Sequence, residues 1–165
     1  MKFIVLVLLA LATLSLGQTP NPIPLPSLDL NKVKGKWYIV GAYPTDGYIG
    51  FDCYTWDVQV IGDNTVNITA TIVAGSHTYT GSYIMEVVHN GAIWKESVVG
   101  EVDWLAIDPL NAAWATLGSP IQQAANIISR SPTLSDTIIQ SQLTLLQTEG
   151  YKATKFNTLF IPNNC

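Results

Sequence analysis

The sequence predicts an all-β fold, an antiparallel barrel or sandwich, that is followed by one helix. Eight short segments alternate or are rich in β-branched and aromatic residues, with turn signals roughly every ten residues between them. The period then changes from two to 3.6 residues between Ser135 and Glu149, which indicates an amphipathic helix. A last short strand is expected at Phe156–Ile161.

Two irregular segments precede the first strand. Residues 18–28 contain four prolines. This density predicts an extended arm, because proline fixes φ and lacks the backbone donor of a helix or a central strand. Asp29 to Lys34 predicts a short helical turn, with Asp29 or Asn31 as its cap.

The strands and the helix have clear local signals. Glycine, proline, asparagine and aspartate mark the turns between the strands. Pro132 precedes the helix and Gly150 ends it. Its apolar stripe consists of Ile138, Ile139, Leu143 and Leu146. The predicted strands are residues 36–43, 53–61, 66–73, 78–88, 93–99, 102–107, 112–117 and 124–129.

Residues 1–17 predict a secretory signal peptide. A positive residue, Lys2, precedes an apolar run at residues 3–14, and Ser15 and Gly17 are small residues before cleavage at Gln18. The alternative is an uncleaved membrane anchor, but the run is shorter than the ~20 residues that a span requires. We therefore expect a secreted, extracellular domain at residues 18–165 with no membrane span.

The charge of the chain excludes some partners. Without Lys2, 7 basic residues face 12 acidic ones, a formal net charge of −5. An acidic chain argues against nucleic acid and anionic membrane surfaces as partners. Only 12% of residues are charged while 48% are hydrophobic. This composition indicates either a lined cavity or a weakly charged surface.

Three segments resemble lipocalin motifs, in the order in which that family has them. Gly35-Lys36-Trp37 is similar to the G-x-W opening. Residues 104–108 are similar to the strand that ends in the T-D-Y turn, although only Asp108 is kept. Residues 127–134 resemble the family's arginine and helix start. The resemblance implies an eight-stranded antiparallel up-and-down barrel with one C-terminal α-helix packed outside.

The two cysteines narrow the resemblance to the subgroup of apolipoprotein D and its bacterial and plant relatives. In that subgroup a cysteine on the second strand pairs with one near the C-terminus. Cys53 and Cys165 match these positions. The resemblance thus implies a disulfide, and two cysteines in an oxidising compartment most often pair.

The lipocalin resemblance also implies a closed barrel end. Trp37 would plug the narrow end, and Arg130, the single arginine of the chain, would lie over that ring. Such a cation–π contact is worth ~0.5–2 kcal/mol. Gly35, Trp37 and Arg130 are therefore expected to be structural and to touch no ligand.

Candidate ligand contacts lie on the inner faces of the strands. Alternation places Trp56 and Val58 on one face of the second strand, and Tyr83 and Met85 on one face of the fourth. By the resemblance, Val58 and Asn126 occupy pocket positions that are aromatic in apolipoprotein D, which argues against a steroid-like ligand. The alternative is that these side chains fill the barrel or cover its outside. We expect a carrier of a small hydrophobic ligand, such as a lipid, a fatty acid or a retinoid-like molecule.

The sequence predicts neither catalysis nor a metal or cofactor. His77 and His89 lie in predicted turns, without cysteine or acidic residues at metal-ligand spacing. The enzyme precedent that the resemblance offers, a prostaglandin isomerase, requires a free thiolate inside the cup. Cys53 is expected to be paired instead.

Two surface features complete the sequence-based expectations. Asn67-Ile68-Thr69 is an N-glycosylation sequon, and Asn67 faces outward if Ile68 faces inward. The alternative to a carrier is a barrel scaffold that binds an extracellular protein partner through loops such as Pro44–Gly50.

Overall fold

Eight antiparallel strands close into one barrel in sequence order, with the last strand paired to the first. The computed structural model describes residues 19–97, 100–158 and 165. The expected signal peptide at residues 1–17 lies outside these ranges. The predicted eight-stranded up-and-down barrel with one C-terminal helix is confirmed.

The elements begin and end close to their expected positions. The largest difference is in the fifth strand, which ends at Glu96 where Ser97 starts a turn. The strands are β1 (Gly35–Tyr43), β2 (Cys53–Gly62), β3 (Thr65–Ala74), β4 (His77–Val88), β5 (Ile93–Glu96), β6 (Gly100–Ile107), β7 (Trp114–Ser119) and β8 (Ala124–Ser129). The helices are α1 (Leu30–Val33) and α2 (Asp136–Thr148).

The strand expected at Phe156–Ile161 is wrong in its described part, because residues 155–157 form a turn. The Asn157 side chain explains the turn. Its Oδ1 accepts from the Thr154 N–H at 2.6 Å, and its Nδ2 donates to the Lys152 carbonyl at 2.7 Å. Asparagine that bonds its local backbone in this way competes with strand pairing. Residues 159–161 lie outside the described ranges.

The proline-rich arm is irregular, as predicted, and it is held against the barrel. The Leu25 N–H donates to the Trp104 carbonyl at 2.8 Å, and the Leu28 N–H donates to the Asn90 carbonyl at 2.9 Å. Asp29 caps α1, since its Oδ1 accepts from the Asn31 N–H at 2.9 Å. The arm thus leads the chain to the start of β1.

The barrel end that contains α1 and Gly35, the closed end, is plugged by a stacked pair. The Arg130 guanidinium carbon lies 3.7 Å from the centroid of the buried Trp37 ring. Two guanidinium nitrogens each donate at 2.8 Å, one to the Lys36 carbonyl and one to the Lys32 carbonyl. Gly35 has a φ of +86°, in the left-handed region that glycine adopts without strain.

Helix α2 covers the outside of the barrel and forms a second core with it. Leu143 and Leu146 pack with Val40, Leu105 and Ile127 from the strands. Ile138 and Ile139 of the expected stripe are only half-buried.

The buried face of α2 also contains a polar residue that the apolar stripe did not predict. Gln142 is buried, and its Oε1 is satisfied there because it accepts from the Thr116 hydroxyl of β7 at 2.7 Å. The helix is therefore positioned on the barrel by a hydrogen bond as well as by apolar contacts.

The predicted disulfide is confirmed. Cys53, the first residue of β2, is bonded to Cys165, and their Cα atoms lie 5.2 Å apart. The bond joins residues 112 positions apart in the sequence. In the chain-entropy account, closing a loop of this length stabilises the fold by about 4–5 kcal/mol.

Replacing Arg130 with lysine should destabilise the barrel. Lysine keeps the positive charge but loses the planar stack on Trp37 and the fork that reaches two carbonyls. We expect a loss of about 2 kcal/mol in the free energy of unfolding, measured in urea. Lys36→Gln is the control, because Lys36 is exposed and lies over the Tyr38 ring at 4.6 Å. Equal losses in the two variants would contradict a specific role for the stacked pair.

One acidic side chain is buried outside the barrel interior. Asp103 on β6 is 3% exposed, and its Oδ1 has no hydrogen-bond partner among the described residues. Burial, with Glu101 nearby, raises the pKa of Asp103 from 3.8 to about 6, against the opposing effects of Lys95 and His89. The folded state therefore binds this proton more tightly than the unfolded state does, and stability falls as pH rises from about 4 to about 6.

Asp103→Asn should remove this pH-dependent loss. The variant is expected to gain stability relative to the parent protein between pH 4 and pH 7.5, because it cannot ionise. Chemical unfolding at both pH values measures the change, and Asp63→Asn, at an exposed carboxyl in the β2–β3 hairpin, is the matched control. The same pH dependence in parent and Asp103→Asn proteins would show that Asp103 is not responsible.

Candidate ligand-binding site

A cavity of about 180 Å³ lies inside the barrel, toward the end opposite Arg130. We call this the open end, formed by the β1–β2 loop (residues 44–52) and the β7–β8 turn (residues 120–123). Tyr48 from the loop and Gln122 from the turn contribute to the cavity lining. The strands from β2 to β8 supply the rest of its wall.

Two indoles that line the cavity connect it to the closed end. The Trp94 and Trp104 ring centroids lie 4.9 Å apart, and the Trp104 and Trp37 rings meet in a T-shaped contact with a centroid distance of 6.1 Å. All three side chains are almost completely buried. This layer of three indoles fills the interior between the closed end and the cavity.

Four aromatic rings follow one another from the β1–β2 loop along β2. Tyr48, Phe51, Tyr54 and Trp56 make successive ring contacts with centroid distances of 6.0–6.2 Å. The Tyr48 hydroxyl also donates to Asn126 Oδ1 on β8, at 3.4 Å. This contact joins the β1–β2 loop to β8 at the open end of the barrel.

The cavity is electrically neutral. The described residues that line it include no aspartate, glutamate, lysine, arginine or histidine. Burial, together with the nearby Tyr54, raises the pKa of Tyr48 to about 12. Burial likewise raises the pKa of Tyr54 and of Tyr83. These phenols therefore stay protonated at neutral pH and act as polar but uncharged groups.

Three polar atoms of the lining residues lack hydrogen-bond partners among the described residues. They are Nε1 of Trp56, Nε1 of Trp104 and the hydroxyl of Ser119. The third lining indole differs, because Trp94 Nε1 donates to the Gly91 carbonyl at 2.7 Å. The Trp56 indole lies near the Tyr54 hydroxyl and opposes the rise in the pKa of Tyr54, but Nε1 makes no hydrogen bond of normal geometry.

The wall is thin where β7 has a glycine. Gly118 lines the cavity, and a Cβ added there would overlap the Tyr151 hydroxyl outside the barrel. Tyr151 follows α2, is 2% exposed, and packs with Leu105 in the second core. The backbone of Gly118 therefore separates the cavity from the packing beneath the helix.

Four of the five residues expected from the sequence to contact ligand line this cavity: Trp56, Tyr83, Met85 and Asn126. Val58 does not. It is buried in the main core, paired with Gly35 on β1 and with Ile68 on β3. Val58 belongs to the packing near the closed end, since Gly35 marks that end of the barrel.

Several lining residues were missed by the sequence analysis. Tyr48 lies in a loop, where no periodicity assigns a direction. Strand alternation could have found Trp94 and Trp104, because both lie within predicted strands, now β5 and β6. Ser119 ends β7, a strand expected to stop at Leu117.

The described residues offer no metal site. No group of three or more histidine, cysteine, aspartate or glutamate side chains is arranged to hold a metal ion there. Both cysteines of the chain are in the disulfide, so neither is a free thiol. Among the helices in the described ranges, none has the length and apolar character required to cross a bilayer.

Neither a protein-family model nor a curated protein sequence matches this chain. Solved structures do match it. Lipocalin 12 from rat epididymis is 16% identical with a TM-score of 0.69, over 86% of this chain and 89% of that one. Insecticyanin from the tobacco hornworm Manduca sexta is 16% identical with a TM-score of 0.65, over 88% and 86%. The siderocalin Ex-FABP is 16% identical with a TM-score of 0.65, over 81% and 96%. The chain therefore shares the lipocalin fold.

Proposed function

We propose that this protein is a secreted carrier that binds a small hydrophobic molecule inside its barrel and performs no chemistry on it. The observation that carries the proposal is the neutral, largely aromatic cavity at the open end of the barrel. Concave sites of this kind, apolar with a few polar groups, are typical of small-molecule binding. The siderocalin Ex-FABP, which shares the fold, functions through dual ligand specificities.

The subgroup and the cellular location are part of the same proposal. The Cys53–Cys165 bond supports placement in the apolipoprotein D-like subgroup, because it joins the second strand to the C-terminal residue. A disulfide persists in oxidising compartments. It therefore supports export and extracellular location, as the sequence of residues 1–17 predicts.

Filling the cavity should abolish ligand binding without unfolding the barrel. Ala124 lines the cavity at the start of β8, so Ala124→Phe places a ring in the ligand space. We expect at least a tenfold weaker binding, since the ligand loses buried contact area. The probes are naphthalene, retinol and palmitate, and calorimetry gives their affinities for the parent protein.

Thr80→Phe is the matched control, because Thr80 is exposed on the outside of β4. Binding that is unchanged in Ala124→Phe but lost in Thr80→Phe would place the ligand outside the barrel. Failure of every probe and of any co-purifying molecule to bind the parent protein would refute the carrier function.

Export should leave two chemical marks on the protein. In eukaryotic secretion, the mature chain is expected to begin at Gln18, and Asn67 is expected to carry an N-linked glycan. Asn67 lies in β3 and is only partly buried. Intact mass and N-terminal sequencing of the secreted protein test both marks. Asn67→Gln should lose the glycan mass, whereas retention of residues 1–17 would contradict the leader prediction.

The alternative function is binding of an extracellular protein by the loops. Its supporting observation is that Ile49 and Ile121, on the β1–β2 loop and the β7–β8 turn, are 72% and 75% exposed. A partner from the native fluid that binds the parent protein, but not the double variant Ile49→Ser, Ile121→Ser, would favour this function. It would do so most clearly if no small molecule occupied the cavity.

A further inference from the structure

We infer that the cavity selects a compact, flat, uncharged molecule that carries a hydrogen-bond acceptor for the indole N–H groups of Trp56 and Trp104. This inference rests on the proposed carrier function and names the class of its ligand. The ligand class is narrower than hydrophobic molecules in general, because it excludes both carboxylates and plain hydrocarbons as preferred ligands.

The buried tryptophans differ in their hydrogen bonding. At the closed end, Trp37 Nε1 donates to the Val33 carbonyl at 2.8 Å, and Trp94 Nε1 donates to the Gly91 carbonyl at 2.7 Å. Trp56 and Trp104 are 7% and 1% exposed, yet their Nε1 atoms have no partner among the described residues. An indole N–H can only donate, and leaving it buried and unpaired is unfavourable.

The position of the unpaired donors points to a ligand. Trp56 and Trp104 both line the cavity, and so does Ser119, whose hydroxyl is also buried and unpaired. A molecule in the cavity therefore contacts three residues whose buried polar atoms the protein does not satisfy itself. A carbonyl or ether oxygen, or an aromatic ring nitrogen, would accept from them.

The cavity lining is uncharged, which disfavours charged ligands. The lining residues within the described ranges include no basic side chain that could pair with an anion. Burying a carboxylate without a partner is strongly unfavourable. The pKa values of Tyr48, Tyr54 and Tyr83 are raised, so these phenols stay neutral and the lining residues supply no anion for a cation. Glu96, which contributes to the raised pKa of Tyr83, is not a lining residue. The cavity consequently favours a neutral ligand.

The size and shape of the cavity favour a compact, flat ligand. The cavity volume is about 180 Å³, close to the ~150 Å³ of an engineered apolar cavity that accepts benzene. Larger ligand pockets commonly span ~300–1,000 Å³. Aromatic rings from Tyr54, Trp56 and Trp94 present flat and edge surfaces, which pack well against another ring. One or two small rings therefore fit, and a long acyl chain does not fit completely.

Three compounds of one skeleton separate these properties. Acetophenone has an acceptor and no charge, isopropylbenzene has neither, and benzoate has a charge. At pH 7.5, acetophenone should bind about tenfold more tightly than isopropylbenzene, which is the factor that one buried hydrogen bond commonly contributes. Benzoate should bind more weakly than both, as measured by calorimetry.

Variants that each remove one donor show which N–H group causes the preference for acetophenone. Trp104→Phe and Trp56→Phe keep an aromatic ring and lose the N–H, so each should reduce the preference for acetophenone over isopropylbenzene severalfold. Trp114→Phe is the control, because Trp114 starts β7 and does not line the cavity. Ser119→Ala is a smaller change that keeps the test available if a tryptophan variant does not fold.

A spectroscopic readout accompanies the affinities. In an NMR titration of the parent protein, the indole N–H resonances of Trp56 and Trp104 should shift with acetophenone and much less with isopropylbenzene. The Trp94 N–H, already bonded to the Gly91 carbonyl, should respond little to either compound.

The outcomes separate this inference from the carrier function. Equal binding of acetophenone and isopropylbenzene, or preferential binding of benzoate, would overturn the inference and leave the carrier function intact. Binding of none of these compounds, nor of naphthalene, retinol or palmitate, would refute both. A preference for acetophenone that survives Trp104→Phe and Trp56→Phe would overturn the assignment of the donors.

Discussion

Closure of the barrel is the constraint on which the rest of the structure depends. When β8 pairs with β1, every strand has two neighbours and every second residue must point into a confined interior. An eight-stranded barrel is just wide enough to be filled by side chains or to hold one small ligand. Large indoles fill the lower part here. Small residues, including Ala124, Ala125 and Gly118, leave space at the other end.

The Arg130–Trp37 pair shows how the chain secures this closure. Arg130 follows β8, whereas its hydrogen-bond acceptors, Lys32 and Lys36, lie in α1 and β1. One side chain thus joins the last strand to the first element of the fold and covers the ring that plugs the interior. The Cys53–Cys165 bond is a second long-range connection. It lies at the start of β2, directly after the β1–β2 loop of the open end.

The sequence predicted the strands and α2 from local pattern and missed the contacts that single polar side chains make. The alternation of Val66 and Ile68 specifies a strand and its buried face, and the serine–aspartate start and Gly150 specify α2. The disulfide was predicted from the resemblance to lipocalins. The position of Tyr48 in the cavity was not predicted, because it depends on a hydrogen bond from the β1–β2 loop to Asn126 on β8, and no local pattern encodes that contact. The last predicted strand is a turn where it is described, because the Asn157 side chain hydrogen-bonds to the nearby backbone of Thr154 and Lys152.

The thin wall at Gly118 brings the cavity close to the second core, which lies between α2 and the barrel. The Tyr151 hydroxyl occupies the position that a Cβ on Gly118 would take, and Tyr151 is held in the layer between α2 and the barrel. A change in the packing of α2 at this point is therefore separated from the cavity only by the backbone of Gly118. Substitutions in the layer beneath α2 can therefore change the shape of the cavity while the inward-facing residues stay unchanged.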